Sequence, residues 1–163
     1  MAADDARLRV SAAGLVNADP ARVYSIIADY RNGHPRIVPE QFSHMEVERG
    51  GFGDGTIITF QVRVLGRTTK FRAVVTEPEP GRVLVERNVE GSDSMTTFEV
   101  APGPDGRGTT VTITTDLKTR DGILGWLERA ISKRVMEPMY RRELEKLAEV
   151  AAGTPSLVVG RRL

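Results

Sequence analysis

Polar and apolar residues alternate along Arg7 to Val16, with Leu8, Val10 and Ala12 on one side and Arg7, Arg9 and Ser11 on the other. A period of two predicts a half-buried strand. The pattern stops at Asn17-Ala18-Asp19-Pro20, where Asp19 suits an N-cap and Pro20 the first helical position. Val23, Ile26, Ile27 and Tyr30 then recur at i, i+3, i+4 and i+7, one face of a short helix that Asn32-Gly33 should end. The prolines of His34-Pro35-Arg36-Ile37-Val38-Pro39 leave room for at most one more helical turn.

Beyond this point the period is two again. Ser43 to Arg49 reads as a strand, followed by the glycine-rich turn Gly50-Gly51-Phe52-Gly53-Asp54-Gly55. That turn lacks the strand-then-helix setting of a phosphate cradle. Strands over Thr56 to Leu65 and Thr68 to Glu77 flank Gly66-Arg67, a two-residue hairpin turn with glycine first. The matching register sets Val62 opposite Phe71, Phe60 opposite Ala73 and Ile58 opposite Val75, so one face is wholly apolar. Pro78-Glu79-Pro80-Gly81 is a turn before a strand over Arg82 to Asn88, with Glu77 placed opposite Arg82. Ser94 to Val100 and Thr109 to Asp116 form a last hairpin around a loop rich in glycine and proline, pairing Phe98 with Val111 and Thr96 with Ile113.

From Asp121 to about Val150 the period becomes helical, carried by Ile123, Leu124, Leu127, Ile131, Val135, Met139, Leu144 and Leu147. Pro138 falls inside this run and should kink the helix or break a hydrogen bond near Arg134. Short sequential strands joined by tight turns predict an antiparallel sheet. Only the last helix is long enough to cover its apolar face. The expected fold class is therefore α+β: a curved seven-stranded antiparallel sheet wrapped around a long C-terminal helix, with one or two short helices after the first strand. Such a grip leaves a cavity between sheet and helix. One domain is expected over residues 6–151, and residues 152–163 should form a flexible tail.

Composition narrows the chemistry. The 163 residues include no cysteine and two histidines, His34 and His44, which excludes disulfide scaffolds, thiol nucleophiles, cysteine-based zinc sites and three-histidine metal sites. Lys and Arg number 23 against 22 Asp and Glu, for a net charge of +1, so overall charge gives nucleic-acid binding no support. The basic pairs Lys133-Arg134 and Arg141-Arg142 are interleaved with Glu128, Glu137, Glu143 and Glu145, which reads as a solvated helix face. No run reaches ~18 apolar residues, so no membrane span is expected. The acidic Met1-Ala2-Ala3-Asp4-Asp5 start lacks the apolar run of a secretory signal, and a cytoplasmic location is expected.

One arrangement is specific. The opening strand is followed by Ala18-Asp19-Pro20-Ala21-Arg22-Val23-Tyr24-Ser25-Ile26-Ile27-Ala28-Asp29, then Glu77-Pro78-Glu79-Pro80-Gly81-Arg82-Val83-Leu84, then the Thr97-Phe98 to Gly108-Thr109 hairpin and the terminal helix. Over about residues 6–151 this resembles the SRPBCC superfamily, the helix-grip domains related to START lipid-transfer domains and birch-pollen allergen. It is most similar to the bacterial subset called polyketide cyclase/dehydrase. The resemblance implies an apolar ligand held between sheet and long helix. Members usually carry a tryptophan in the loop after the first helix. Here that loop reads Arg31-Asn32-Gly33-His34-Pro35, which makes His34 the nearest substitute.

The inward positions define the candidate site. Phe60, Val62, Phe71, Ala73, Phe98, Val111 and Ile113 from the sheet, with Ile131, Val135 and Met139 from the helix, are either pocket wall or plain core. The register through the Pro78–Gly81 turn brings Glu86 and Asn88 to the same face, with Thr96 and Thr115 beside them. A carboxylate inside an apolar cup has its pKa raised by desolvation, which suits a general acid or base. Because Val83-Leu84-Val85 is apolar on both faces, a one-residue slip would instead put Glu86 in solvent. His34 at the expected cavity mouth, one helical turn after Tyr30, is either a proton carrier or a surface histidine beside a proline. His44 reads as ordinary surface. Trp126 either caps the cavity or packs beside it.

The catalytic candidates are thus Glu86 and His34. No metal motif, dinucleotide fingerprint or other cofactor motif is present, and no metal or cofactor is expected. The first functional reading is binding of a small hydrophobic or amphipathic molecule of the polyketide, lipid or isoprenoid class. The second is a cyclase or dehydratase acting on a poly-ketone in the same cavity. A protein-interaction module would instead have a filled cavity and a broad exposed apolar patch. The expected partner is a small hydrophobic molecule, with no nucleic acid and no stable membrane insertion, in a monomer or weak homodimer.

Overall fold

The structure, a computed structural model, describes residues 7–120 and 122–153, except the side chains of residues 123–127 and 129. Seven strands form one antiparallel sheet in the order β1-β7-β6-β5-β4-β3-β2. They are β1 (Arg7–Val16), β2 (Phe42–Arg49), β3 (Ile57–Val64), β4 (Arg67–Glu79), β5 (Val83–Glu90), β6 (Ser94–Pro102) and β7 (Thr109–Lys118). A helix α1 (Pro20–Ala28) and a single 3-10 turn (His34–Arg36) separate β1 from β2, and α2 (Gly122–Ala152) follows β7. This is the expected helix grip. The tail expected beyond α2 lies outside the described residues. Pro138 sits inside α2, which continues to Ala152. No described helix is long and apolar enough to cross a membrane.

Helix α1 begins where its sequence predicts, although the Asp19 side chain makes no capping hydrogen bond. Asp19 is extended, Pro20 occupies the first turn, and the Val23 amide donates to the Asp19 carbonyl at 3.0 Å. Its end comes earlier than expected, at Ala28 rather than at Asn32-Gly33. Asp29 is the cause. Its backbone leaves the helical region, and its Oδ1 accepts the amides of Arg31 at 3.1 Å and Asn32 at 3.0 Å. An Asp side chain that satisfies the amides ahead of it competes with the helix for them. The Tyr30 amide donates instead to the Gly51 carbonyl at 2.9 Å, which swings the phenol off the helix.

The faces of the sheet match the alternation, while the pairings are displaced by two residues in three hairpins. In β3–β4 the turn is Leu65-Gly66, both residues at positive φ, so Phe60 pairs with Phe71 and Ile58 with Ala73. That is the mirror-image turn geometry that follows the twist of the strands. In β4–β5, Val75 pairs with Glu86 and Ala73 with Asn88. In β6–β7, Phe98 pairs with Ile113 and Thr96 with Thr115. A two-residue slip returns every side chain to its original face, so the apolar pattern could not detect it.

Core and cavity occupy different ends of the grip. Val23, Ile27 and Ala28 of α1 pack with Val10, Val16, Leu84, Val100 and Val111 of the sheet, and with Leu144, Leu147 and Ala151 near the end of α2. A Cβ at Gly14 would lie 3.4 Å from Leu144 Cδ1, so α2 presses on β1 there. The Gly50–Gly55 turn is tied down by Glu77, which accepts the Tyr24 hydroxyl at 2.6 Å and the Asp54 amide at 2.8 Å. The middle of α2 stands off the sheet, and the space beneath it is open.

Candidate functional site

That space is a cavity of about 310 Å³. One wall is apolar and aromatic. Phe42, Phe60 and Phe71 form a run of stacked rings with centroids 5.5 and 5.3 Å apart. Val62 and Val64 of β3 continue this wall, and Ile131, Val135, Met136 and Met139 of α2 face it. Ile131 is also exposed, which places the opening beside its turn of α2.

The other wall is polar and comes from β5, β6 and β7. Strand pairing aligns Glu86 with Thr96, and Thr96 with Thr115, so three inward polar side chains lie in one row. Thr96 Oγ1 lies 2.7 Å from Thr115 Oγ1, and Thr115 also hydrogen-bonds the Tyr140 hydroxyl of α2. Two residues along, Asn88 Nδ2 donates to Ser94 Oγ at 2.8 Å, and Ser92 Oγ lies 2.6 Å from the same oxygen.

At one end of this row three titratable side chains converge. His34 Nδ1 lies 2.7 Å from the Ile27 carbonyl, which can only accept, so Nδ1 carries a hydrogen and neutral His34 presents a lone pair at Nε2. Nε2 lies 3.5 Å from Glu86 Oε1 and 4.0 Å from Glu143 Oε1. The imidazole is held by Tyr30, stacked at 4.6 Å, and by Phe98, edge-on at 5.5 Å. Tyr30 Oη donates to Glu86 Oε1 at 2.5 Å.

The electrostatics follow from burial. Desolvation, with the Glu86 charge second, pushes the Glu143 carboxyl well above the usual carboxylate range, and Lys146 opposes this only in part. Burial and then Glu86 raise the Tyr30 phenol. Burial likewise raises the Tyr140 phenol, with Glu143 adding to the effect and Thr115 opposing it. At neutral pH both phenols are hydrogen-bond donors. Burial and the Glu86 charge favour the carboxylic-acid form of Glu143 over its carboxylate.

The structure gathers most of the residues singled out from the sequence. Glu86, His34, Phe60, Val62, Phe71, Asn88, Thr96, Phe98, Thr115, Ile131, Val135 and Met139 all line the cavity. Glu86 points inward, its side chain 13% exposed. His34 is not a surface histidine: it is 2% exposed. Tyr30 stands behind Glu86 rather than in the wall, while Ala73 and Ile113 are fully buried in the core. The side chain of Trp126 lies outside those described. His44 is on the surface.

Glu143 is the residue the sequence analysis misplaced. Read as part of a solvated face, it is 4% exposed. The signal was present: Met136, Met139, Tyr140, Glu143 and Leu147 fall at i, i+3, i+4, i+7 and i+11, so Glu143 occupies the apolar stripe of α2. Tyr140 was passed over on the same stripe. Phe42, one residue before the predicted Ser43–Arg49 strand, and Ser94, the first residue of its predicted strand, were also missed.

Comparison with known proteins agrees with this architecture. A sequence profile of the family described as polyketide cyclase/dehydrase and lipid transport matches residues 7–152. The solution structure of KanY protein is 25% identical, with a TM-score of 0.79 over 91% of this chain and 99% of that one. A protein from Thermus thermophilus is 22% identical, with a TM-score of 0.73 over 90% of this chain and 99% of that one. The Zhui aromatase/cyclase from Streptomyces sp. R1128 is 17% identical, with a TM-score of 0.74 over 90% and 94% of the two chains. The last two likenesses are likenesses of fold. No curated protein sequence matches the chain.

Proposed function

We propose a function from two premises: the chain belongs to the polyketide cyclase/dehydrase and lipid transport family, and its cavity has one apolar wall and one polar wall. The cavity binds a small, largely apolar molecule of the polyketide, lipid or isoprenoid class. The aromatic wall takes its hydrocarbon or ring face. The Thr96–Thr115–Tyr140 row and the Glu86–His34–Glu143 cluster take its oxygen functions. The observation that carries this reading is the cavity of about 310 Å³, at the small end of ligand-sized sites, whose mostly aromatic and aliphatic lining is broken by a few polar groups, among them Glu86, Thr96, Thr115 and Glu143. Thermal-shift measurements against a panel of neutral apolar molecules test it, with native mass spectrometry of the purified protein. Saturable stabilisation by members of the panel is expected. No stabilisation, together with no co-purified ligand, would contradict it.

A second reading, a cyclase or dehydratase, is favoured by the convergence of Glu86 and Glu143 on His34 Nε2. Glu143 in its acid form donates to a ligand carbonyl, and Glu86 or His34 accepts the proton α to it. Enolisation of this kind needs positioned proton carriers and no cofactor. Exchange of α-protons for deuterium in a bound diketone, followed by NMR, is the direct assay. The exchange should fall in Glu86→Gln and Glu143→Gln. Equal exchange in wild type and both variants would remove this reading and leave binding alone.

A further inference from the structure

The polar end of the cavity is built from acceptors. Glu143 is 4% exposed, lines the cavity, and makes no hydrogen bond within the described protein; the nearest nitrogen is His34 Nε2 at 4.0 Å. Glu86 Oε1 faces the same nitrogen at 3.5 Å, with its one protein donor supplied by Tyr30 behind it. His34 has committed its Nδ1 hydrogen to Ile27, so in the neutral imidazole Nε2 is a third acceptor. No lysine or arginine is among the described lining residues. Lys146, whose charge opposes the rise at Glu143 only in part, donates to the Val38 carbonyl at 2.7 Å, with Glu40 at 3.8 Å. Two carboxyl groups and one imidazole nitrogen thus surround one point at the end of an apolar cavity whose described lining holds no lysine or arginine.

We propose that this end is a headgroup site selecting by charge, so that the cavity favours apolar molecules bearing a primary ammonium and rejects those bearing a carboxylate. An ammonium has three N–H donors and no acceptor, which matches Glu86 Oε1, Glu143 Oε1 and His34 Nε2. The stacked rings of Tyr30 and His34 and the edge of Phe98 close the site around them, which strengthens each contact by excluding water. A ligand carboxylate at the same place would meet two acidic groups at low dielectric with no cation to offset them. An ammonium bound there favours the carboxylate form of Glu143, whose pKa burial and Glu86 raise, so its binding is coupled to release of a proton to solvent.

This inference rests on the ligand-binding reading, and a matched series separates the two. Decylamine, decan-1-ol and decanoate are titrated into the wild-type protein by isothermal calorimetry at neutral pH. The amine titration is repeated in two buffers of different ionisation enthalpy. The expected order is amine, alcohol, carboxylate, with the amine at least about tenfold tighter than the carboxylate, and with net proton release on amine binding. In Glu86→Gln/Glu143→Gln the amine's advantage over the alcohol should disappear. Decanoate binding as tightly as decylamine, or the amine showing no advantage over the alcohol, would overturn the charge selection and leave the cavity reading intact. Failure of all three to bind would overturn both.

Discussion

Replacing Glu143 by glutamine should stabilise the protein, and do so more as the pH rises. The carboxyl is buried on the inner face of α2 and holds its proton more tightly than in the unfolded chain, because ionising it means placing a charge in an apolar cavity beside Glu86. Its folded pKa lies above its unfolded value of about 4.3, so the folded state binds more protons than the unfolded state across the interval between them. Stability therefore falls as pH increases through that interval, by about 1.4 kcal/mol for each unit. From about pH 4.3 to neutrality the ceiling is roughly 4 kcal/mol, reached if Glu143 stays protonated throughout. Glutamine has nearly the same shape and cannot ionise. The two proteins should be equally stable under acid conditions, and the variant should pull ahead progressively towards neutral pH. Urea denaturation at a series of pH values measures the gap; with a slope of about 2 kcal/mol per molar urea, each kcal/mol moves the midpoint by about 0.5 M. A gap that does not change with pH would refute the reasoning. So would a wild type that gains on the variant as pH rises, since the fold would then be stabilising the carboxylate.

Three other substitutions probe the supports of the cavity. Tyr30→Phe keeps the ring stacked on His34 but removes the hydrogen bond to Glu86, and should lower stability by about 2 kcal/mol in chemical denaturation. Phe60→Ala takes out the central ring between Phe42 and Phe71; a loss of about 3–5 kcal/mol is expected, with weakened binding of aromatic ligands. Gly91→Ala should cost about 1–3 kcal/mol by thermal denaturation, because Gly91 has φ +100° and a Cβ there would lie 2.7 Å from the Lys70 carbonyl and 2.6 Å from Phe71.

The sheet shows what alternation carries and what it leaves open. Apolar periodicity identified Phe60, Phe71, Phe98 and Glu86 as inward residues, yet each of their hairpins pairs two residues away from the expected register. Face is a property of parity, whereas partner is set by the turn, and Leu65-Gly66 at positive φ was chosen over Gly66-Arg67. The acid cluster was half legible. Glu86 was within reach because its strand had a face. His34 depended on Asp29 ending α1 early, a backbone event that hydrophobic pattern does not encode. Glu143 was hidden by its charge: among neighbouring lysines, arginines and glutamates it looks solvated, and only its place on the Met139–Tyr140–Leu147 stripe says otherwise.

The central claim is that the space between sheet and α2 holds a small apolar molecule. Fluorescence titration with the neutral probe N-phenyl-1-naphthylamine tests it, comparing wild type with Val135→Trp, which fills the cavity from the α2 side. Circular dichroism verifies that the variant keeps its fold. The account predicts a saturable, blue-shifted signal at one probe per wild-type chain and its loss in Val135→Trp. The same signal in both proteins, or none in wild type, would contradict it.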